Sequence, residues 1–139
     1  MLKGKVAIIT GGTRGIGLET VRLFCENHAK VILFGSRKET VNKAIETLKS
    51  ENLEVKGYYP NLNDINEIEM VVKEINETYG SIDILVNNAG ISANKKIEDT
   101  TSEEFESIMN LNVNAMFNMT KVVVPYMKEQ NSGVILNTS

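Results

Sequence analysis

The octet Thr10–Gly17, reading TGGTRGIG, holds four of the ten glycines found in 139 residues. It follows the apolar run Val6–Thr10, VAIIT, which reads as a buried strand, and it leads into a helical stretch over Ile16–His28. Glycines crowd a strand-to-helix junction when the chain must turn tightly and something must come closer to the backbone than a Cβ permits. Their spacing, Gly11, Gly15 and Gly17, is G-x-x-x-G-x-G. No Gly-Lys-Ser/Thr follows, so the pattern is not a P-loop. In a doubly wound sheet the first strand-to-helix junction is where a dinucleotide sits. Gly11 would make the turn, the backbone would approach the pyrophosphate, and the helix N-terminus would offer N–H groups to it. An ordinary βα turn that binds nothing is the alternative. The strand before the octet and the helix after it favour the binding reading.

The rest of the chain alternates in the same way. Val31–Gly35 is a second apolar strand, and Glu39–Glu51 a helix with Val41, Ala44, Ile45 and Leu48 on one face. Leu53–Tyr59 reads as a third strand. Ile65–Tyr79 is a helix with Ile65, Ile68, Val72, Ile75 and Tyr79 in line. Ile82–Val86 is a fourth strand, followed by NNAG; Ser102–Glu129 is a long helical stretch, and SGVILN begins a fifth strand. Strands alternating with helices of this length imply βαβ units and a parallel sheet covered on both faces. The whole of 1–139 is expected to be one dinucleotide-binding domain. Because the chain stops at the fifth strand, it is expected to be a fragment of a longer protein.

A net charge of −3 without any block of Lys or Arg argues against nucleic acid or a membrane surface as partner. One cysteine, Cys25, allows no intrachain disulfide, and with the single His28 no Cys/His zinc cluster. The opening MLKGKVAIIT is too short in apolar residues for a signal peptide or a spanning helix, so the expected compartment is the cytoplasm. Cys25 and Met109, Met116, Met119 and Met127 are expected to pack. Asp64 is expected to cap a helix, and Pro125 to kink the long helix or mark its last turns.

TGGTRGIG in the first βα turn and NNAG at Asn87–Gly90 together resemble the short-chain dehydrogenase/reductase family. The likeness runs along all 139 residues and is nearest in flavour to 3-oxoacyl-[acyl-carrier-protein] reductases. Hydroxysteroid and sugar-alcohol dehydrogenases are nearly as close. The resemblance implies an α/β, Rossmann-type doubly wound parallel sheet, with five strands present in the order 3-2-1-4-5 and the C-terminal part of the family fold missing. It implies a homo-oligomer, and a ketone substrate that is a small molecule or is bound to an acyl carrier.

The resemblance also implies a tetrad of Asn, Ser, Tyr and Lys. Its Asn falls on Asn112, within NVNAMF, although Asn110, Asn114 and Asn118 share the helix and a row of surface asparagines is the plainer reading. The family's serine motif matches Ser139 at its first serine only, and no Tyr has Lys four residues later. In the complete family enzyme the tyrosine gives a proton to the carbonyl oxygen, the lysine lowers its pKa, the serine holds the oxygen, and the asparagine anchors a water. A non-catalytic dinucleotide-binding module is therefore the rival reading, and a Tyr-x-x-x-Lys beyond Ser139 would discriminate.

The cofactor positions carried over are Gly11, Thr13, Arg14, Gly15, Ile16 and Gly17 in the turn, Ser36 and Arg37 after the second strand, Asn61 and Leu62 after the third, and Asn88, Ala89 and Gly90 after the fourth. Asn87 is either a strand-end turn or a contact. An NAD enzyme tends to carry an acid at the end of the second strand; here stands GSRKE, with no acid before Glu39. Arg14 and Arg37 suit the 2′-phosphate of NADP(H) through charge-assisted bonds, unless both are simply solvated. Asn61 stands where the family has an adenine-contacting Asp, which removes a charge more than a contact.

Overall fold

Three of the strands have no polar alternation because water reaches neither of their faces. The computed structural model, which describes residues 1–90 and 95–138, shows why. β1 (Val6–Thr10) is buried throughout, as is β4 (Ile84–Asn87), and β2 (Lys30–Phe34) is buried except at Lys30. β3 (Lys56–Tyr58) and β5 (Val134–Asn137) complete a five-stranded sheet in the order β3-β2-β1-β4-β5. Every pairing is parallel; Ile8 lies opposite Ile32 on one side and Leu85 on the other.

Successive side chains of the central strand feed opposite cores. Val6 and Ile8 join Ile32, Phe34 and Leu85 under α3 (Ile65–Tyr79) and α4 (Ser102–Gln130), whose contributions include Ile68, Val72, Met119 and Val123. Ala7 and Ile9 join Val31, Leu33 and Val86 under α1 (Gly15–Glu26) and α2 (Lys38–Ser50), which supply Val21, Val41, Ala44 and Leu48. The result is the expected doubly wound, three-layered arrangement. No helix among the described residues is long and apolar enough to cross a membrane.

Helix ends follow local chemistry. Asp64 caps α3, its Oδ1 accepting from the N–H of Asn66 at 3.0 Å and of Glu67 at 3.4 Å, and Gly80 ends that helix at φ 84°. Thr101 caps α4 by accepting from the Glu104 N–H at 3.0 Å. α1 and α2 begin differently: Arg14 and Arg37 stand at the N-cap positions, neither with a side-chain cap bond.

The third and fourth strands start later than expected, and the first helix ends at Glu26 rather than His28. The third strand is confined to Lys56–Tyr58, the residues that pair with Ile32–Phe34; Leu53 and Val55 pack instead against the α1/α2 core. The fourth starts at Ile84, because the Asp83 carboxylate takes the Val6 N–H at 2.8 Å. Pro125 stands within the last two turns of α4, as expected, and the helix continues to Gln130. There the Gln130 amide accepts from the Ile82 N–H and donates to the Ile82 carbonyl, both at 3.0 Å.

Candidate functional site

At the C-terminal ends of β1 and β4 the two sequence motifs lock together. The Thr10 hydroxyl oxygen accepts from the N–H of Asn88 at 3.0 Å and of Ala89 at 2.9 Å. Asn88 Nδ2 donates to the Gly11 carbonyl at 3.2 Å. Gly11 has φ 63°, and a Cβ there would lie 2.9 Å from the Asn88 carbonyl oxygen. At Gly17 a Cβ would collide with the Gly11 carbonyl oxygen and meet Asn88 Nδ2 at 2.6 Å. Close approach of backbone to backbone, already inside the chain, thus requires glycine at both positions.

The turn is also pressed against the end of β2. The Gly12 N–H donates to the Phe34 carbonyl at 3.1 Å, and a Cβ at Gly35 would stand 2.6 Å from Thr13 Cγ2. The segment Thr13–Gly17 is therefore brought beside Gly35–Arg37. Arg14, Gly15, Ile16, Ser36 and Arg37 are exposed. The ion pairs among the described residues join Arg22 to Glu19 and Glu51 and Lys95 to Glu104, so neither Arg14 nor Arg37 takes part. With no acidic side chain in its first turn and no side-chain cap, the N-terminus of α1 keeps its positive end open to an anion.

After β3, Asn61 is exposed and its Oδ1 accepts from the Asn63 N–H at 3.0 Å. Its side chain thus spends one acceptor position on its own turn, a bond that does not use the Nδ2 donors. Leu62 is half-buried against the α3/α4 core, and its carbonyl accepts from Asn118 Nδ2 at 2.9 Å.

The asparagines of α4 separate by helical register. Asn110 and Asn114 are exposed, whereas Asn112 and Asn118 are half-buried. Asn112 lies over Gly90, where a Cβ would meet its side-chain amide atoms at 3.5 Å. Asn87 is buried at the end of β4. Its Nδ2 donates to Asn137 Oδ1 at 2.9 Å and to the Thr120 hydroxyl at 3.2 Å, tying β4 to β5 and to α4. Its Oδ1 has no hydrogen-bond partner among the described residues. The Thr138 hydroxyl is shared between Asn88 Oδ1 at 3.0 Å and the Asn87 carbonyl at 3.3 Å. Ser139 lies outside the described residues.

Thr10, Thr120, Thr138 and Asn118 organise this region, and the sequence reading assigned them no role. Thr10 offered a faint signal, as the polar residue closing an apolar strand. Cys25 stands apart from the site, half-buried, with its thiol pushed up to about 11 by burial and then by Glu26. The methionines divide: Met119 and Met127 pack, while Met109 is exposed.

The strand order, the helices on both faces and the glycine turn define a Rossmann-type α/β fold. A family model described as short chain dehydrogenase matches residues 5–139. A 3alpha-hydroxysteroid dehydrogenase of Mediterraneibacter gnavus is 50% identical over 141 residues, covering 100% of this chain and 56% of that protein. A 3-oxoacyl-[acyl-carrier-protein] reductase of Thermotoga maritima is 38% identical over 138 residues, covering 99% and 56%. Among solved structures, an NAD+-bound xylitol dehydrogenase superposes with a TM-score of 0.89 at 29% identity, covering 99% of this chain and 54% of that one. The chain belongs to the short-chain dehydrogenase family, whose members are oxidoreductases. It spans about half the length of the curated relatives it matches.

Proposed function

We propose that the intact protein is an NADP(H)-dependent oxidoreductase interconverting a ketone and a secondary alcohol, and that this chain carries its cofactor-binding part. The observation that carries the reading is the interlocked turn. Gly11 and Gly17 leave no room for a side chain, and the uncapped N-terminus of α1 beside them carries no acid. That donor set fits a pyrophosphate. In this reading Gly11, Thr13, Arg14, Gly15, Ile16 and Gly17 surround the phosphates and adjoining ribose. Ser36 and Arg37 take the 2′-phosphate, Asn61 and Leu62 border the adenine, and Asn88, Ala89 and Gly90 pass beside the remaining ribose. A bound nicotinamide dinucleotide would supply or accept the hydride. Asn112, whose amide lies over Gly90, holds a water near that end.

The preference for NADP(H) rests on Arg14 and Arg37, two exposed cations that the turn brings to neighbouring segments without an ion-pair partner among the described residues. Of two similar structures one holds NAD+ and another NADP, so the fold by itself is compatible with either cofactor. Fluorescence titration of the intact gene product with NADPH and NADH tests it. Tighter NADPH binding is expected, and equal affinities would overturn the preference.

For the substrate, the sequence favours a 3-oxoacyl thioester, and 50% identity to a 3alpha-hydroxysteroid dehydrogenase supports a steroid ketone as the second reading. Paired assays with an acetoacetyl thioester and a 3-oxosteroid separate them. Turnover of the first alone supports the thioester, and of the second alone the steroid. The exposed apolar row Phe105, Met109, Val113 and Phe117 along α4 supports assembly with further copies.

A further inference from the structure

Asn118 of α4 reaches across to another segment's main chain: its Nδ2 donates to the Leu62 carbonyl, in the loop just after β3. That loop is otherwise shaped by its own residues. Asn61 Oδ1 accepts from the Asn63 N–H at 3.0 Å, and the Asn61 carbonyl accepts from the Asp64 N–H at 2.9 Å. Such a turn fixes local conformation but not position relative to the sheet. Position comes from the Leu62 side chain in the α3/α4 core and from the 2.9 Å bond between Asn118 Nδ2 and the Leu62 carbonyl. The same helix holds Asn112 over Gly90 and sets Thr120 against Asn87. Six residues separate Asn112 from Asn118, about 9 Å of helix rise. α4 is thus a stiff bar joining the strand end at β4 to the loop after β3, across the sheet order β3-β2-β1-β4-β5. Asparagine is a poor helix former, and its presence at this inward position is offset by the bond it makes.

We propose that Asn118 is a positioning residue for the adenine half of the cofactor site: through the Leu62 carbonyl it holds the Asn61–Leu62 loop in the place that meets a purine. The inference rests on the dinucleotide reading above. Hydrogen bonding falls off steeply with misalignment, so a loop released by a fraction of its bond length loses its purine contacts while the glycine turn keeps its phosphates.

The test uses the intact gene product with Asn118→Leu and Asn118→Asp, two ways of removing the donor, so that either folded variant suffices; Asn114→Leu, on the exposed side of α4, is the control. Adenosine 2′,5′-bisphosphate is the calorimetric probe, and hydrogen exchange is followed at the Asn63 and Asp64 amides. Loss of the bond should weaken the probe about three- to tenfold, raise KM for NADPH by a similar factor at unchanged kcat, and speed exchange at both amides. Asn114→Leu should do none of these. Unchanged probe affinity in a folded Asn118 variant would overturn the proposal, as would a fall in kcat matching the rise in KM, which marks a general structural defect. Failure of the wild-type protein to bind NADPH, NADH or the probe would instead remove the dinucleotide reading, and this proposal with it.

Discussion

The turn between β1 and α1 and the slab formed by α4 and β5 sit on the same sheet, yet they are finished to different degrees. On its inner side the turn is closed within the chain: β1 is buried along its length, and a Cβ at Gly11 or Gly17 would strike main-chain atoms. Across the sheet, α4 buries Ala115, Met119, Val122, Val123 and Met127 on its inner side but leaves Phe105 59%, Val113 54% and Phe117 60% exposed on its outer side. In β5 Val134 and Leu136 are about half exposed. Apolar surface in water costs roughly 25 cal/mol per Å², and a contiguous row of it marks a surface for association. The contrast teaches that the geometry at Gly11 and Gly17 is determined by contacts within these residues, whereas the outer side of α4 and the edge strand β5 leave apolar surface in water.

The contrast is broken or sharpened most strongly by paired substitutions in the two regions. Leu85→Ala, in the fully buried strand beside β1, should lower unfolding free energy by about 2–5 kcal/mol in denaturant titration. Gly17→Ala should cost about 3 kcal/mol and abolish dinucleotide binding, since the new methyl displaces the Gly11 carbonyl. Wild-type stability in either variant would show that the turn is less closed than its contacts indicate.

In the intact gene product Asn112→Ala should lower kcat roughly a hundredfold, against little change for Asn110→Ala or Asn114→Ala. Equal losses in steady-state assays would place the functional asparagine elsewhere on α4. Arg37→Ala should weaken NADPH about ten- to a hundredfold and NADH hardly at all, the loss of one charge-assisted bond, and the difference should shrink with added salt because the residue is exposed. Equal weakening of both cofactors, read by fluorescence titration, would make the arginine a solvated side chain.

Cys25 gives a pH signature on the closed side. Its folded thiol is raised from 9.0 to about 11, chiefly by burial. The stabilisation linked to it is fully present below pH 9 and is lost as pH rises from 9 to 11. Alkylation at pH 8 should accordingly be much slower in the native protein than in denaturant, and equal rates would refute the burial. The smallest effect is expected at the open face. Leu136→Thr on β5 should change stability by no more than about 0.5 kcal/mol, and a loss like that of Leu85→Ala would show that β5 is already covered.

Much of the architecture was legible in the chain because it is written in short-range patterns. The apolar runs VAIIT and VILFG, the Val41, Ala44, Ile45 and Leu48 stripe and the Asp64 cap each follow from residues a few positions apart; each stands where it was read, the second strand shifted by one residue to Lys30–Phe34. The glycine octet likewise announced a tight turn, in which Gly11 and Gly17 leave no room for a side chain. The candidate site was legible only where a motif marked it. Helical register separates Asn112 and Asn118 from Asn110 and Asn114 but names no partner for either, and nothing local sets Thr10 to hold Asn88 and Ala89. Those roles depend on bonds between residues 56 apart for Asn118 and Leu62 and 79 apart for Ala89 and Thr10. Helical and strand periodicity selects which side of an element faces inward, but the partner that side meets is selected by strand order and register, which exist once the sheet has assembled.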